Sequence, residues 1–192
     1  MKFNRNLIAL VAASFVATAS MAMQPAEYSV AKDRISADYK VHKEKCDALS
    51  GNAKDICQEE AKGNEKVAKA ELDAQYKPSK KADYKVRKER ADATYEVAKE
   101  KCDDLSGNAK DVCEKDAKAA HVTAVEKAKI AEVKALPGDS AAEKRADVAE
   151  ARKDGAEEMR EANYKAAKER CDSLSGDAED KCEADAKRKY AQ

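Results

Sequence analysis

Tyr39 to Lys62 reads YKVHKEKCDALSGNAKDICQEEAK, and the pattern returns twice. It reappears as YEVAKEKCDDLSGNAKDVCEKDAK from Tyr95 to Lys118 and as YKAAKERCDSLSGDAEDKCEADAK from Tyr164 to Lys187. The three units hold all six cysteines, as the pairs Cys46/Cys57, Cys102/Cys113 and Cys171/Cys182, with the same Cys-x10-Cys spacing. Before each first cysteine the chain is rich in Ala, Lys and Glu, which are strong helix formers. Ile35, Tyr39, His42, Cys46 and Leu49 fall on one helical stripe. So do Ala91, Tyr95, Ala98, Cys102 and Leu105, and then Arg160, Tyr164, Ala167, Cys171 and Leu174.

Each stripe runs into Leu-Ser-Gly followed by Asn or Asp. Gly51, Gly107 and Gly176 are placed to end a helix in the left-handed conformation. Asn52, Asn108 and Asp177 are placed to cap the next one, with Asp55, Asp111 and Asp180 at N3. Each unit therefore predicts helix, tight turn, helix. The cysteines point the same way. Eleven residues along one straight helix span about 16 Å. A disulfide needs Cα atoms roughly 4.4–6.8 Å apart. A hairpin sets the two cysteines level, so the expected bridges are Cys46–Cys57, Cys102–Cys113 and Cys171–Cys182, with redox or unpaired thiols as the rival reading.

The N-terminus predicts the compartment. Lys2 and Arg5 precede an apolar run from Leu7 to Ala19, and Ser20-Met21-Ala22 supplies small residues for a cut. This is the pattern of a secretory signal peptide over 1–22. The apolar run is too short to span a bilayer, which takes about 20 residues. The expectation is an exported protein, periplasmic or secreted, with no stable membrane insertion after cleavage. Disulfides persist in such compartments.

From Met23 onward there is no Phe or Trp, and only five Leu, three Ile and ten Val. That is about a tenth of the residues, well below an ordinary globule. Such a chain builds thin, alanine-lined helix contacts. The net charge is zero over the whole chain, and Lys2 and Arg5 are the only charges in 1–22, leaving −2 for the remainder. No basic excess exists to attract nucleic acid.

The expected architecture is all-α: long helices forming three antiparallel, disulfide-clipped hairpins, arranged as an extended bundle or a coiled-coil-like rod. The helices are predicted over Ser29–Leu49, Asn52–Tyr76, Lys80–Leu105, Asn108–Leu136, Ala141–Leu174 and Asp177–Tyr190, with Met23–Glu27 a frayed leader. Pro78 and Pro137-Gly138 are breaks, and Ser79 and Ser140 are caps. The hairpins occupy 23–77, 78–136 and 137–192. Gly155 is a weak point in the fifth helix. The low content of bulky residues favours loosely joined hairpins or self-association.

No nucleotide loop, HExxH motif or phosphate cradle occurs. His42 and Cys46 share a helical face, but the other units carry Ala98 and Ala167 at the histidine position, so neither metal nor cofactor is expected. His121 has no evident partner in the sequence. Lys43/Asp47, Lys99/Asp103 and Lys168/Asp172 are expected as surface i,i+4 pairs. No catalytic residue emerges. Tyr39, Tyr95 and Tyr164 each precede a first cysteine by seven residues. They read first as packing residues and second as repeated anchors for a protein partner.

The Cys-Asp-x-Leu-Ser-Gly-Asn-Ala-Lys-Asp-x-Cys turn, in its setting YEVAKEKCDDLSGNAKDVCEKDAK, resembles a group of uncharacterised exported proteins of beta-proteobacteria often labelled cell-envelope or TolA-like. The likeness covers the leader and the three cysteine units. It implies an envelope location and carries over no catalytic residue. TolA-like proteins keep an inner-membrane anchor, whereas the apolar segment here reads as cleavable. The expected function is a non-enzymatic structural or protein-binding role in the cell envelope. The alternative is a stress-protective protein, either a holdase or a desiccation-type protectant, suggested by the Ala/Lys/Glu composition.

Overall fold

Helix-forming residues fill the stretches between the proline and glycine breaks, and every such stretch is helical. The computed structural model describes residues 23–191, so the signal peptide expected over 1–22 lies outside the described residues. The elements are α1 (Pro25–Cys46), α2 (Asn52–Tyr76), α3 (Lys80–Cys102), α4 (Asn108–Ala135), α5 (Ala141–Glu169) and α6 (Asp177–Tyr190). A short 3-10 turn, Cys171–Ser173, follows α5. The fold is all-α, with no strand among the described residues. The three expected bridges are present, each with Cα atoms 5.6 Å apart.

Each helix packs on its neighbour in sequence, α1 on α2 through to α5 on α6. Successive helices are antiparallel, so all three clipped turns lie at one end of the bundle. The Tyr76–Lys80 and Ala135–Ala141 connections lie at the other. The α2–α3 and α4–α5 contacts are extensive, so consecutive hairpins share interfaces.

These contacts are thin because the buried residues are small. Ala61, Ala70, Ala91, Ala119, Ala128, Ala166 and Ala186 are buried, and Leu72 is the one large aliphatic among them. Cys46, Cys102 and Cys171 are the largest fully buried side chains. Two glycines permit the closest approaches. A Cβ added at Gly63 would stand 2.7 Å from the Ala93 Cβ, across the α2–α3 interface. One added at Gly155 would meet Ile130 at 3.0 Å, across α4–α5. Gly155 is thus a packing position inside an unbroken α5, in place of the expected weak point.

Several boundaries differ from expectation. Helix α1 begins at Pro25 instead of Ser29. Gln24 and Glu27 form a capping box, with the Gln24 N–H donating to Glu27 Oε2 at 2.9 Å and Pro25 at the first helical position. Helices α1, α3 and α5 end before the leucines. After Cys46 the backbone tightens, with Ala48 N–H donating to the Lys45 carbonyl and Leu49 N–H to the Cys46 carbonyl, both i→i+3 bonds. Leu49, Leu105 and Leu174 therefore leave the stripe and sit in the turns. The caps at Ser79 and Ser140 form as expected, accepting from the N–H groups of Ala82 and Glu143.

Candidate partner-binding face

The clipped end is built three times from the same parts. Gly51, Gly107 and Gly176 have φ of 56°, 56° and 59° and serve as N-caps of α2, α4 and α6. They start the following helices instead of ending the preceding ones. A Cβ there would meet nothing within 4 Å, so backbone conformation and not crowding selects glycine. With the cap at glycine, Asn52, Asn108 and Asp177 become the first helical residues, and Asp55, Asp111 and Asp180 move one place past N3.

The two asparagines take a different task. Asn52 Nδ2 donates to the Glu100 carbonyl at 2.7 Å, and Asn108 Nδ2 donates to the Glu169 carbonyl at 2.9 Å. Each ties its own turn to the last turn of the next odd-numbered helix, where a carbonyl has a lone pair to spare. Among the described residues no hairpin follows the third unit, and there the residue is Asp177, which carries no amide donor.

Within the first two turns, Lys54 pairs with Asp47 at 3.0 Å and Lys110 with Asp103 at 2.9 Å. These replace the expected Lys43/Asp47 and Lys99/Asp103 pairs, because the reversed chain brings the lysine of the next helix closer. The third turn has Glu179 in the lysine's place. Its carboxylate lies within 4.8 Å of those of Asp172 and Glu183. Glu183 is paired with Lys168 at 3.5 Å and Lys187 at 3.8 Å, so Lys168 does not take Asp172 as expected.

The Leu49, Leu105 and Leu174 side chains are 44%, 44% and 43% exposed. An isolated surface leucine carries no meaning. Three in equivalent turns at one end, on backbone fixed by a disulfide and a helix cap, form a repeated apolar feature.

Tyr39, Tyr95 and Tyr164 are half-buried and lie on α1, α3 and α5, with α2 and α4 between them. They do not form one cluster. Tyr95 is engaged in packing, tilted against the His121 ring at 4.8 Å and lying under the Lys118 ammonium at 5.3 Å. His121, which has no evident partner in the sequence, pairs with Asp92 at 2.6 Å. Burial pushes the Asp92 carboxyl up, and the Lys88 and His121 bonds outweigh it, so it lies below the usual carboxylate range. His42 is exposed, and the Cys46 sulfur is bonded to Cys57 and is not free to ligate a metal.

A second constellation joins the N-terminus of α1 to the unclipped end. Tyr28 stacks on Tyr76 with ring centroids 4.4 Å apart. Its hydroxyl donates to Asp73 at 2.7 Å, and Lys85 donates to the other oxygen of Asp73 at 2.9 Å. Sequence reasoning missed this group and the Asp92–His121 pair, because the partners lie on different helices and no spacing rule links them.

No helix among the described residues is long and apolar enough to cross a membrane. In comparisons with protein-family models, curated proteins and solved structures, nothing matches this chain.

Proposed function

We propose that this protein is a non-enzymatic helical module of the cell envelope that binds a protein partner through its clipped end. The observation that carries this reading is the set of Leu49, Leu105 and Leu174, similarly exposed in three corresponding clipped turns. Their order costs little on binding, because the bridges and caps already hold the backbone. The leucines extend the recognition role expected for Tyr39, Tyr95 and Tyr164. Those rings sit further down the same odd helices, seven residues before each first cysteine.

An exported location is supported by the three disulfides, by the signal-peptide pattern over 1–22 and by the resemblance to exported envelope proteins. The test is a photo-crosslinking residue at Leu105 in living cells, compared with the Leu49→Ser/Leu105→Ser/Leu174→Ser variant. The expected result is a discrete crosslinked species that the triple variant loses while its helical circular dichroism is unchanged. Identical crosslinks from the triple variant, or none from either, would reject the reading. A smear of many species, with suppression of aggregation of a model client, would favour the holdase alternative.

A further inference from the structure

At the unclipped end, a cleft of about 630 Å³ opens between the start of α1, the end of α2 and the start of α3. Its size falls within the range of small-molecule sites. Tyr28, Tyr76 and Tyr84 line it, three of the seven tyrosines in a chain with no other aromatic ring beyond residue 22 except its two histidines. Tyr28 and Tyr76 are already stacked on one another, so this part of the aromatic lining is preformed.

The charges around the cleft do not cancel. Asp73 is its one carboxylate, held below the usual carboxylate range by its bonds from Lys85 and Tyr28, so Lys85 is neutralised there. Lys88 is paired with Asp92 at 2.6 Å. Lys77 and Lys81 remain. Lys77 stands 5.4 Å from the centroid of the Tyr76 ring, and neither lysine has a carboxylate partner among the described residues. The N-terminus of α3, capped by Ser79 at the cleft wall, adds partial positive charge. The molecule as a whole carries no excess charge, so this is a local cationic aromatic feature.

We infer that the cleft binds a small organic anion with a flat apolar body, such as an aromatic sulfonate, carboxylate or phosphate ester. The body lies on the tyrosine wall, and the anionic group is met by Lys77 and Lys81. Flat rings are favoured over a flexible alkyl chain because a rigid body gives up no internal rotation on settling against the tyrosines that line the cleft. The site is at the opposite end from the leucine row, so it stands or falls independently of the proposed partner face.

The test is calorimetric titration of the full chain with naphthalene sulfonate and, in parallel, with the uncharged naphthalene methanol. Saturable one-to-one binding of the sulfonate is expected, with the alcohol weaker by roughly tenfold, as loss of about 1.4 kcal/mol of charge interaction requires. Lys77→Gln/Lys81→Gln should weaken the sulfonate by a similar factor and leave the alcohol unchanged. Both lysines are exposed, so this variant keeps the fold; Tyr84→Ala, which removes part of the wall, should weaken both ligands. Proton NMR should place ligand-induced shifts on the rings of Tyr28, Tyr76 and Tyr84. Absence of saturation, equal affinity for the two ligands, indifference to the double lysine variant, or shifts centred on Tyr39, Tyr95 or Tyr164 would each overturn the assignment.

Discussion

Asn52 donates its side-chain amide to the Glu100 carbonyl across the gap between the first and second clipped turns. Asn108 repeats the bond to Glu169 between the second and third. Residues in equivalent positions of the repeat thus connect neighbouring units instead of capping their own helices. Asn52→Ala or Asn108→Ala should each lower stability by about 1 kcal/mol, the net worth of one hydrogen bond in a partly buried setting. Asn52→Asp should cost more, since a carboxylate would face a carbonyl. Asp177→Asn should be near neutral, because no other turn among the described residues lies within its reach. Urea denaturation of the four variants checks this order.

Gly63 and Gly155 predict a graded response to one added methyl group. Alanine is the better helix former by about 1 kcal/mol at an open site. At Gly63 the new Cβ would lie 2.7 Å from the Ala93 Cβ, an atom fixed to backbone, so α2 and α3 must separate. Gly63→Ala should therefore destabilise by about 1–3 kcal/mol. At Gly155 the nearest atom is the flexible end of Ile130, which can rotate away, and Gly155→Ala should be milder. Denaturant midpoints with unchanged m-values would support the reading; a stabilised Gly63→Ala would refute it.

Removing one staple should weaken the fold without erasing its helices. Cys102→Ala/Cys113→Ala frees a loop with a sequence separation of 11 and should cost about 2–3 kcal/mol in the chain-entropy model. Alanine suits the test better than serine, because Cys102 is fully buried and a hydroxyl there would need a partner. Far-ultraviolet circular dichroism at low temperature should stay helical while the melting midpoint falls. A random-coil spectrum would show that propensity and packing alone do not sustain the hairpin.

The Tyr28–Asp73–Lys85 group predicts a pH dependence at both extremes. Lys85 and then Tyr28 hold the Asp73 carboxyl below its usual value of 3.8. A depressed carboxyl contributes stability that is present above the unfolded-state pKa and lost as pH falls through the folded one, so the loss begins near pH 3.8 and completes below it. The Tyr28 phenol is raised above its usual 10.0, chiefly by its bond to Asp73, and its contribution is lost as pH rises through that higher value. Asp73→Asn should flatten both changes. Tyrosine absorbance titration, with melting curves between acid and neutral pH, measures them.

The helices and bridges could be read from the sequence because their causes are local. Ten residues separate the cysteines of each pair, glycine and proline mark the turns, and Ser79 and Ser140 cap by contact with residues three places on. Leu49, Leu105 and Leu174 leave the helical stripe because the stripe extrapolates helices that end at the first cysteine in α1 and α3 and just before it in α5. Arg160 belongs to the same error of extrapolation, since the position is exposed. His121 and Asp92, 29 residues apart, meet only after α3 and α4 have packed. The cationic cleft needs three helix ends together, and no periodicity within one helix records that. The change from Asn to Asp in the third unit was visible as a letter; its meaning as the end of a chain of inter-turn bonds came from distance alone.

The bridges join strictly consecutive cysteines, and this bears on how the protein acquires them. As a chain emerges from its N-terminus, Cys46 meets Cys57 long before Cys102 has appeared, and the same holds for each later pair. Oxidation in order of emergence therefore yields the native set without shuffling. Closing so short a loop takes far less than a second, so each cysteine meets its own partner repeatedly before a later one is in reach. Maturation should then need an oxidant and no isomerase. Every mispaired form would require a cysteine to wait unreacted while its proper partner lay across a single tight turn.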